Sequence, residues 1–269
     1  MNKNVEIFLS YRPPYNWQQV RMFFAKRCIM GNEYVGENEI HKTLLINEVE
    51  VRITMLHIAE KFGFKLIFNA IHSEHTLEVI STIKRMFDLD ASPELISQAL
   101  IATGLKNEEC VEGLRVPGVA SPFEAICRAI LGQQVSVGAA VTKVNQLFTH
   151  FAQHEQSAFP SPKMLANSDL MFLKMPAKRR QTLIDVACYF TDLEGSTFSA
   201  DDLLAIKGIG PWSVNYVDLR ATGNSNIWLD SDLIIKQQVA KFNALGRPLQ
   251  PELAAPWRSY LTLNLWSMA

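Results

Sequence analysis

The sequence lacks the patterns that mark a metal-built, disulfide-built or membrane protein. Its four cysteines (Cys28, Cys110, Cys127, Cys188) are widely spaced, with no C-x-x-C among them. They read as small buried hydrophobes rather than as a zinc site, an iron–sulfur cluster or a disulfide frame. Two histidine pairs, His72 with His75 and His150 with His154, have no third ligand nearby and read as solvated side chains. No run approaches the ~18 apolar residues of a membrane helix. Glu6 interrupts the start before a signal-peptide core of about 7–15 apolar residues could form. A soluble, cytoplasmic protein with no membrane partner is expected. An excess of one charge is missing too, the formal net charge being −1 over 269 residues. That disfavours a protein that coats nucleic acid non-specifically, but it leaves room for a local basic face.

What is present is a large apolar fraction, 48% of residues, enough for a full core. The first part reads as α+β. "EVEVRITM" (48–55) alternates apolar and polar residues with the period of a half-buried strand. "TLLIN" (43–47) and "FKLIFNAI" (64–71) are predicted strands, and "YNWQQVRMFFAKRCIM" (15–30) is a predicted helix. In "HTLEVISTIKRMFDL" (75–89), Leu77, Ile80, Ile83 and Phe87 are expected on one buried helix side.

Beyond this the chain reads as helices divided by Gly and Pro. Ser92-Pro93 starts one, with proline at the first helical position. "SPFEAICRAILGQQVSVGAAVTKVNQLF" (121–148) predicts two helices joined at "GQQ", with Phe123, Ile126, Ile130, Val137, Val141 and Val144 as the apolar stripe. "LKMPAKRRQTLIDVACYF" (173–190) is a helix entered from Pro176, and its Lys174, Lys178, Arg179 and Arg180 form either a phosphate-facing patch or a solvated face.

"LLAIKGIGPWSVNYVDLR" (203–220) predicts a hairpin of two short helices turning at Gly208 and Gly210. Glycine permits a left-handed backbone and lets another backbone come close. Pro211 suits the first helical position, and the free amides beside it suit an anion such as a DNA phosphate, with Lys207 adjacent. A plain helical corner would look the same.

The neighbouring motifs favour the first reading. "LLAIKGIGPWSVNYVDLR…IWLDSDLIIKQQV" resembles the helix–hairpin–helix and Gly/Pro-Asp signature of DNA glycosylases, and "PFEAICRAILGQQVSVGAA" resembles their wedge-bearing segment. "RPPYNW" and "PWRSYLTLNLW" are similar to the AlkA type of bacterial 3-methyladenine DNA glycosylase, in the same order along the whole chain.

The resemblance implies a TATA-binding-protein-like α+β domain over 1–85. An all-helical helix–hairpin–helix glycosylase domain follows over 86–269, with its cleft between two helical bundles. It implies that Asp232 is catalytic, supplying negative charge to an oxocarbenium-like sugar and orienting or deprotonating water. By itself an Asp before an apolar helical run is an ordinary N-cap, and Asp230 is the rival carboxylate. Trp212 stands where lyase-active relatives such as endonuclease III carry a Schiff-base lysine, so no lyase step is expected. Trp212, Tyr216, Trp257 and Phe23 match aromatic pocket positions suited to a cationic alkylated purine, and Leu233 stands where the AlkA type usually has tyrosine. Gln134 falls at the side chain that fills the duplex gap. Gly208, Gly210 and Lys207 would meet the DNA backbone. The carbonyls of Leu204, Ile206 and Ile209 would hold a structural Na+ or K+, with no other cofactor. The expected partner is double-stranded DNA carrying alkylated bases, bound by a monomer. A glycosylase/lyase, and a non-catalytic helix–hairpin–helix DNA-binding protein, are the alternatives.

Overall fold

Alternating side chains build the first layer. The computed structural model describes residues 4–69, 73–152, 157–193 and 197–269. Strands β1 (Asn4–Ser10), β2 (Glu33–Val35), β3 (Glu39–Ile46), β4 (Val49–Ile58) and β5 (Gly63–Asn69) form one antiparallel sheet in the order β1-β5-β4-β3-β2. Val51, Ile53 and Met55 of β4 and Phe64, Leu66 and Phe68 of β5 point inward, as a period of two requires. Helices α1 (Trp17–Ala25) and α2 (Ser73–Met86) complete that core with Val20, Phe23 and Phe24, and with Val79, Ile83 and Met86. Of the predicted α2 side, Ile83 and Phe87 are buried and Ile80 packs against the core. Leu77, in the first turns, is 76% exposed instead, and Val79 makes the contact there. Ala70 and Ile71, placed in the last predicted strand, and His72 lie outside the described residues.

The same register turns Lys42 inward, between Ile40 and Leu44 of β3. A buried ammonium needs partners, and here they are Glu33 at the start of β2 and Glu124 on the first central helix, α4 (Pro122–Gly132). Arg128, one turn on, pairs with Glu124 at 2.8 Å and also approaches Glu33 at 3.7 Å. Two acids and two bases thus join the sheet to the helices with no net charge. Burial alone would raise the Glu124 pKa, but Lys42 and Arg128 overcome it and hold the carboxyl at about 2.

Every residue of α4 from Phe123 to Leu131 is buried, so it is a central helix rather than a one-sided one. Around it lie α5 (Val137–Ala152), α6 (Pro162–Ala166), α7 (Ala177–Asp192), α8 (Ala200–Ala205) and α9 (Pro211–Val217). A second helical core is made by α3 (Pro93–Ala102), α10 (Leu233–Ala244), α11 (Arg258–Ser267) and Leu219. Trp212 packs against both cores. Val137, expected in the apolar stripe, is 55% exposed, since α5 starts beyond the end of the packed region. Of the cysteines only Cys127 is fully buried, and Cys188 is exposed on α7. His150 is exposed, as expected, and also stacks on Phe172 with ring centroids 3.8 Å apart; His154 lies outside the described residues. Among the described residues no group of three potential metal ligands converges, and no helix is long and apolar enough to cross a membrane.

Candidate active site

The hairpin forms because each residue at the turn meets a local requirement. Ser199 caps α8 through Asp202 N–H at 3.3 Å, and the helix stops at Ile206. Gly208 has φ +96°, and a Cβ there would lie 2.4 Å from Thr182 Oγ1, so no other residue fits. The Thr182 hydroxyl is 2.9 Å from the Lys207 carbonyl and 3.0 Å from that of Lys178, which brings Lys178 of the basic stretch beside the hairpin. Gly210 is different. Its backbone is extended, and a Cβ would meet nothing within 4 Å, so the fold itself does not require glycine there. Among the described residues, the amides of Gly208, Gly210 and Trp212 donate to no protein acceptor. Lys207 is exposed.

The hairpin touches the joint between α4 and α5. Gln133 Nε2 donates to the Gly208 carbonyl at 3.1 Å. The next residue, Gln134, is exposed and adopts φ +58°, uncommon for a non-glycine residue. Val135 and Val137 beside it are also exposed, giving the joint a partly apolar tip.

Between the two helical cores lies a cavity of about 420 Å³. Trp212 and Tyr216 stack at 5.1 Å on one wall, Asp232, Ile234 and Trp266 form another, and Arg27, Arg128 and Val144 contribute from the remaining sides. Asp232 is the N-cap of α10. Its Oδ1 accepts the Ile234 and Ile235 amides at 3.0 and 3.2 Å and the Trp266 indole N–H at 3.0 Å. Its Oδ2 accepts the Trp212 indole N–H at 3.0 Å. The rival Asp230 is exposed, and its carboxylate makes no hydrogen bond or ion pair among the described residues.

Asp232, Trp212 and Tyr216 are thus brought together, but two predicted pocket aromatics stand apart. Trp257 caps the start of α11 and meets Tyr260 edge-on, away from the cavity. Trp266, at the far end of the same helix, occupies the wall instead. Phe23 is buried outside the cavity lining, with the guanidinium carbons of Arg27 and Arg220 each 4.5 Å from its ring centroid. Arg220 is fully buried 5.4 Å from the Trp266 ring, and burial lowers its pKa to about 10. Leu233 is 67% exposed and does not line the cavity. Sequence reasoning missed Arg27 and Arg128. A signal for the second existed, an Arg four residues after a Glu inside the apolar run "FEAICRAIL".

A family model described as the AlkA N-terminal domain matches residues 6–121. The chain is 32% identical to DNA-3-methyladenine glycosylase 2 of Escherichia coli (strain K12), over 96% of this chain and 95% of that one. A solved 3-methyladenine DNA-glycosylase from Archaeoglobus fulgidus superposes with a TM-score of 0.78 at 15% identity, covering 97% of each chain. The apo-form of an 8-oxoguanine glycosylase/lyase from Clostridium acetobutylicum gives 0.67 at 16% identity, over 98% of this chain and 96% of that one. The fold is that of the helix–hairpin–helix DNA glycosylases. Within that class, the chain belongs to the AlkA family.

Proposed function

We propose that this protein is a monofunctional DNA glycosylase that acts as a monomer in the cytoplasm, extruding alkylated bases from duplex DNA and hydrolysing their glycosidic bond to leave an abasic site. The observation that carries this reading is the Asp232 carboxylate, held by four N–H donors on the wall of a cavity that stacked aromatic rings also line. Breaking an N-glycosidic bond builds positive charge on the sugar, and a fixed carboxylate lowers that barrier electrostatically. A base alkylated at a ring nitrogen carries positive charge, leaves readily, and is attracted to aromatic faces by roughly 0.5–2 kcal/mol each. Trp212 and Tyr216 supply such faces.

The hairpin amides and Gly210 would take a backbone phosphate, with Lys207 and Lys178 beside it. The carbonyls of Leu204 and Ile209 receive no backbone N–H among the described residues, whereas that of Ile206 accepts the Ile209 amide. Two open carbonyls suit the proposed Na+ or K+, which would brace the turn.

The shared fold includes a glycosylase/lyase, and the residue at position 212 supports the monofunctional reading. Tryptophan has no amine to attack the sugar. Incubation with duplex DNA carrying 3-methyladenine or 7-methylguanine is expected to yield free base and alkali-labile sites without strand cleavage. Borohydride should trap no covalent complex. Efficient trapping of the wild-type protein would overturn the monofunctional reading.

Gln134 is the proposed wedge, since it is exposed at the tip of the α4–α5 joint. Extrusion costs a few kcal/mol, and a side chain in the gap offsets part of that. Gln134→Ala should weaken binding to abasic duplexes and slow excision with an unchanged melting temperature. Unchanged binding and rate would make Gln134 a bystander.

A further inference from the structure

We propose that Trp266 is a positioning residue for Asp232. Its indole N–H, opposed by that of Trp212, orients the carboxylate so that Oδ1 caps α10 and Oδ2 is presented to the cavity. The inference rests on the glycosylase reading, in which Asp232 is the reacting carboxylate.

A carboxylate offers about four acceptor sites, two per oxygen. Oδ1 receives three donors, from Ile234, Ile235 and Trp266, and is saturated. Oδ2 receives only the Trp212 donor, which leaves one lone-pair direction open on the oxygen of a residue that lines the cavity. The two amides would hold Oδ1 by themselves, but they would not fix the plane of the group, because the terminal torsion of an aspartate is broad. Two indoles arriving from different helices, one on each oxygen, remove that freedom. Both tryptophans are half-buried and packed. Trp212 is stacked on Tyr216, and Trp266 lies against the buried guanidinium of Arg220, so neither donor is free to swing. The same rings form the cavity wall, and wall and orientation are therefore one device.

The two roles separate experimentally. Trp266→Phe keeps an aromatic wall and removes the donor, whereas Trp266→Leu removes both. For Trp266→Phe, kcat on single-lesion duplexes is expected to fall about 10–100-fold, the cost of a misplaced catalytic group. KM and affinity for an abasic duplex should stay within about twofold, since aromatic contact with the base is kept. Trp266→Leu should change kcat and KM together. Independently, the indole N–H resonances of 15N-labelled Trp212 and Trp266 should both move in Asp232→Ala. Trp266→Phe with wild-type kcat, or a Trp266 indole resonance indifferent to Asp232→Ala, overturns the assignment. Should Trp266→Phe melt early, the resonance comparison decides, because it uses Trp266 intact. A wild-type protein that releases no base would instead sink the glycosylase reading, while the indole resonances would still report on the carboxylate.

Discussion

Asp232→Asn should abolish base release, whereas Asp230→Asn should leave it close to wild type. Asparagine matches aspartate in size, and its carbonyl can accept the Ile234 and Ile235 amides, so the cap of α10 survives. What it cannot supply is negative charge for an oxocarbenium-like sugar, or a base for water. General-base help alone is worth about 10²–10⁴-fold, and electrostatic stabilisation adds to it. The site adds a second penalty. With the side-chain oxygen of Asp232→Asn on the cap, its new amide nitrogen would face the Trp212 indole N–H, donor against donor. An unsatisfied buried donor costs about 1–3 kcal/mol, so a modest fall in melting temperature should accompany the loss of activity. Asp230 has no such partners, and its substitution should be silent in both assays. Excision of 3-methyladenine by the two variants, with thermal melts alongside, tests this directly. An inactive Asp230→Asn beside an active Asp232→Asn would place the reacting carboxylate two residues earlier.

The largest stability effect is expected at Glu124→Gln. The substitution keeps the shape and removes a charge, leaving Lys42 and Arg128 to share Glu33 in a buried site. Breaking one member of a buried ion cluster typically costs about 3–5 kcal/mol, because an uncompensated charge stays behind. Urea unfolding should show that loss, and pairing the change with Lys42→Met, which restores neutrality, should recover part of it. The pH dependence follows from the direction of the shift. The folded pKa of Glu124, about 2, lies below its ordinary 4.5, so its contribution is fully present above 4.5 and is lost as pH falls toward 2. Glu124→Gln should therefore flatten the acid limb of the stability profile. An unchanged acid limb would mean that the cluster does not act as one unit. The cavity should respond too, since Arg128 lines it and donates to the Arg27 carbonyl at 3.1 Å.

Much of this architecture was legible because it is local. The alternation in β4, the Pro176 entry to α7 and the Gly208 turn each follow from nearest-neighbour chemistry. The failures are tertiary. Leu77 and Val137 sit at correct helical spacings, but spacing does not say where a neighbouring layer ends. Strand β1 exposes all but one of its seven residues at least partly, and β2 is only three residues long, so neither gave a strand signal. Trp257 and Trp266 lie at opposite ends of one helix, and only the direction of α11 across the molecule decides which reaches Asp232. The family resemblance pointed to Trp257, whereas the cavity beside Asp232 is lined by Trp266 of the same segment.

The hydrogen bond from Gln133 to the Gly208 carbonyl makes one mechanical unit of two turns that lie 75 residues apart in the chain. The α4–α5 joint, with exposed Gln134 at its tip, is anchored to the hairpin rather than standing alone, so a displacement of either turn is passed to the other.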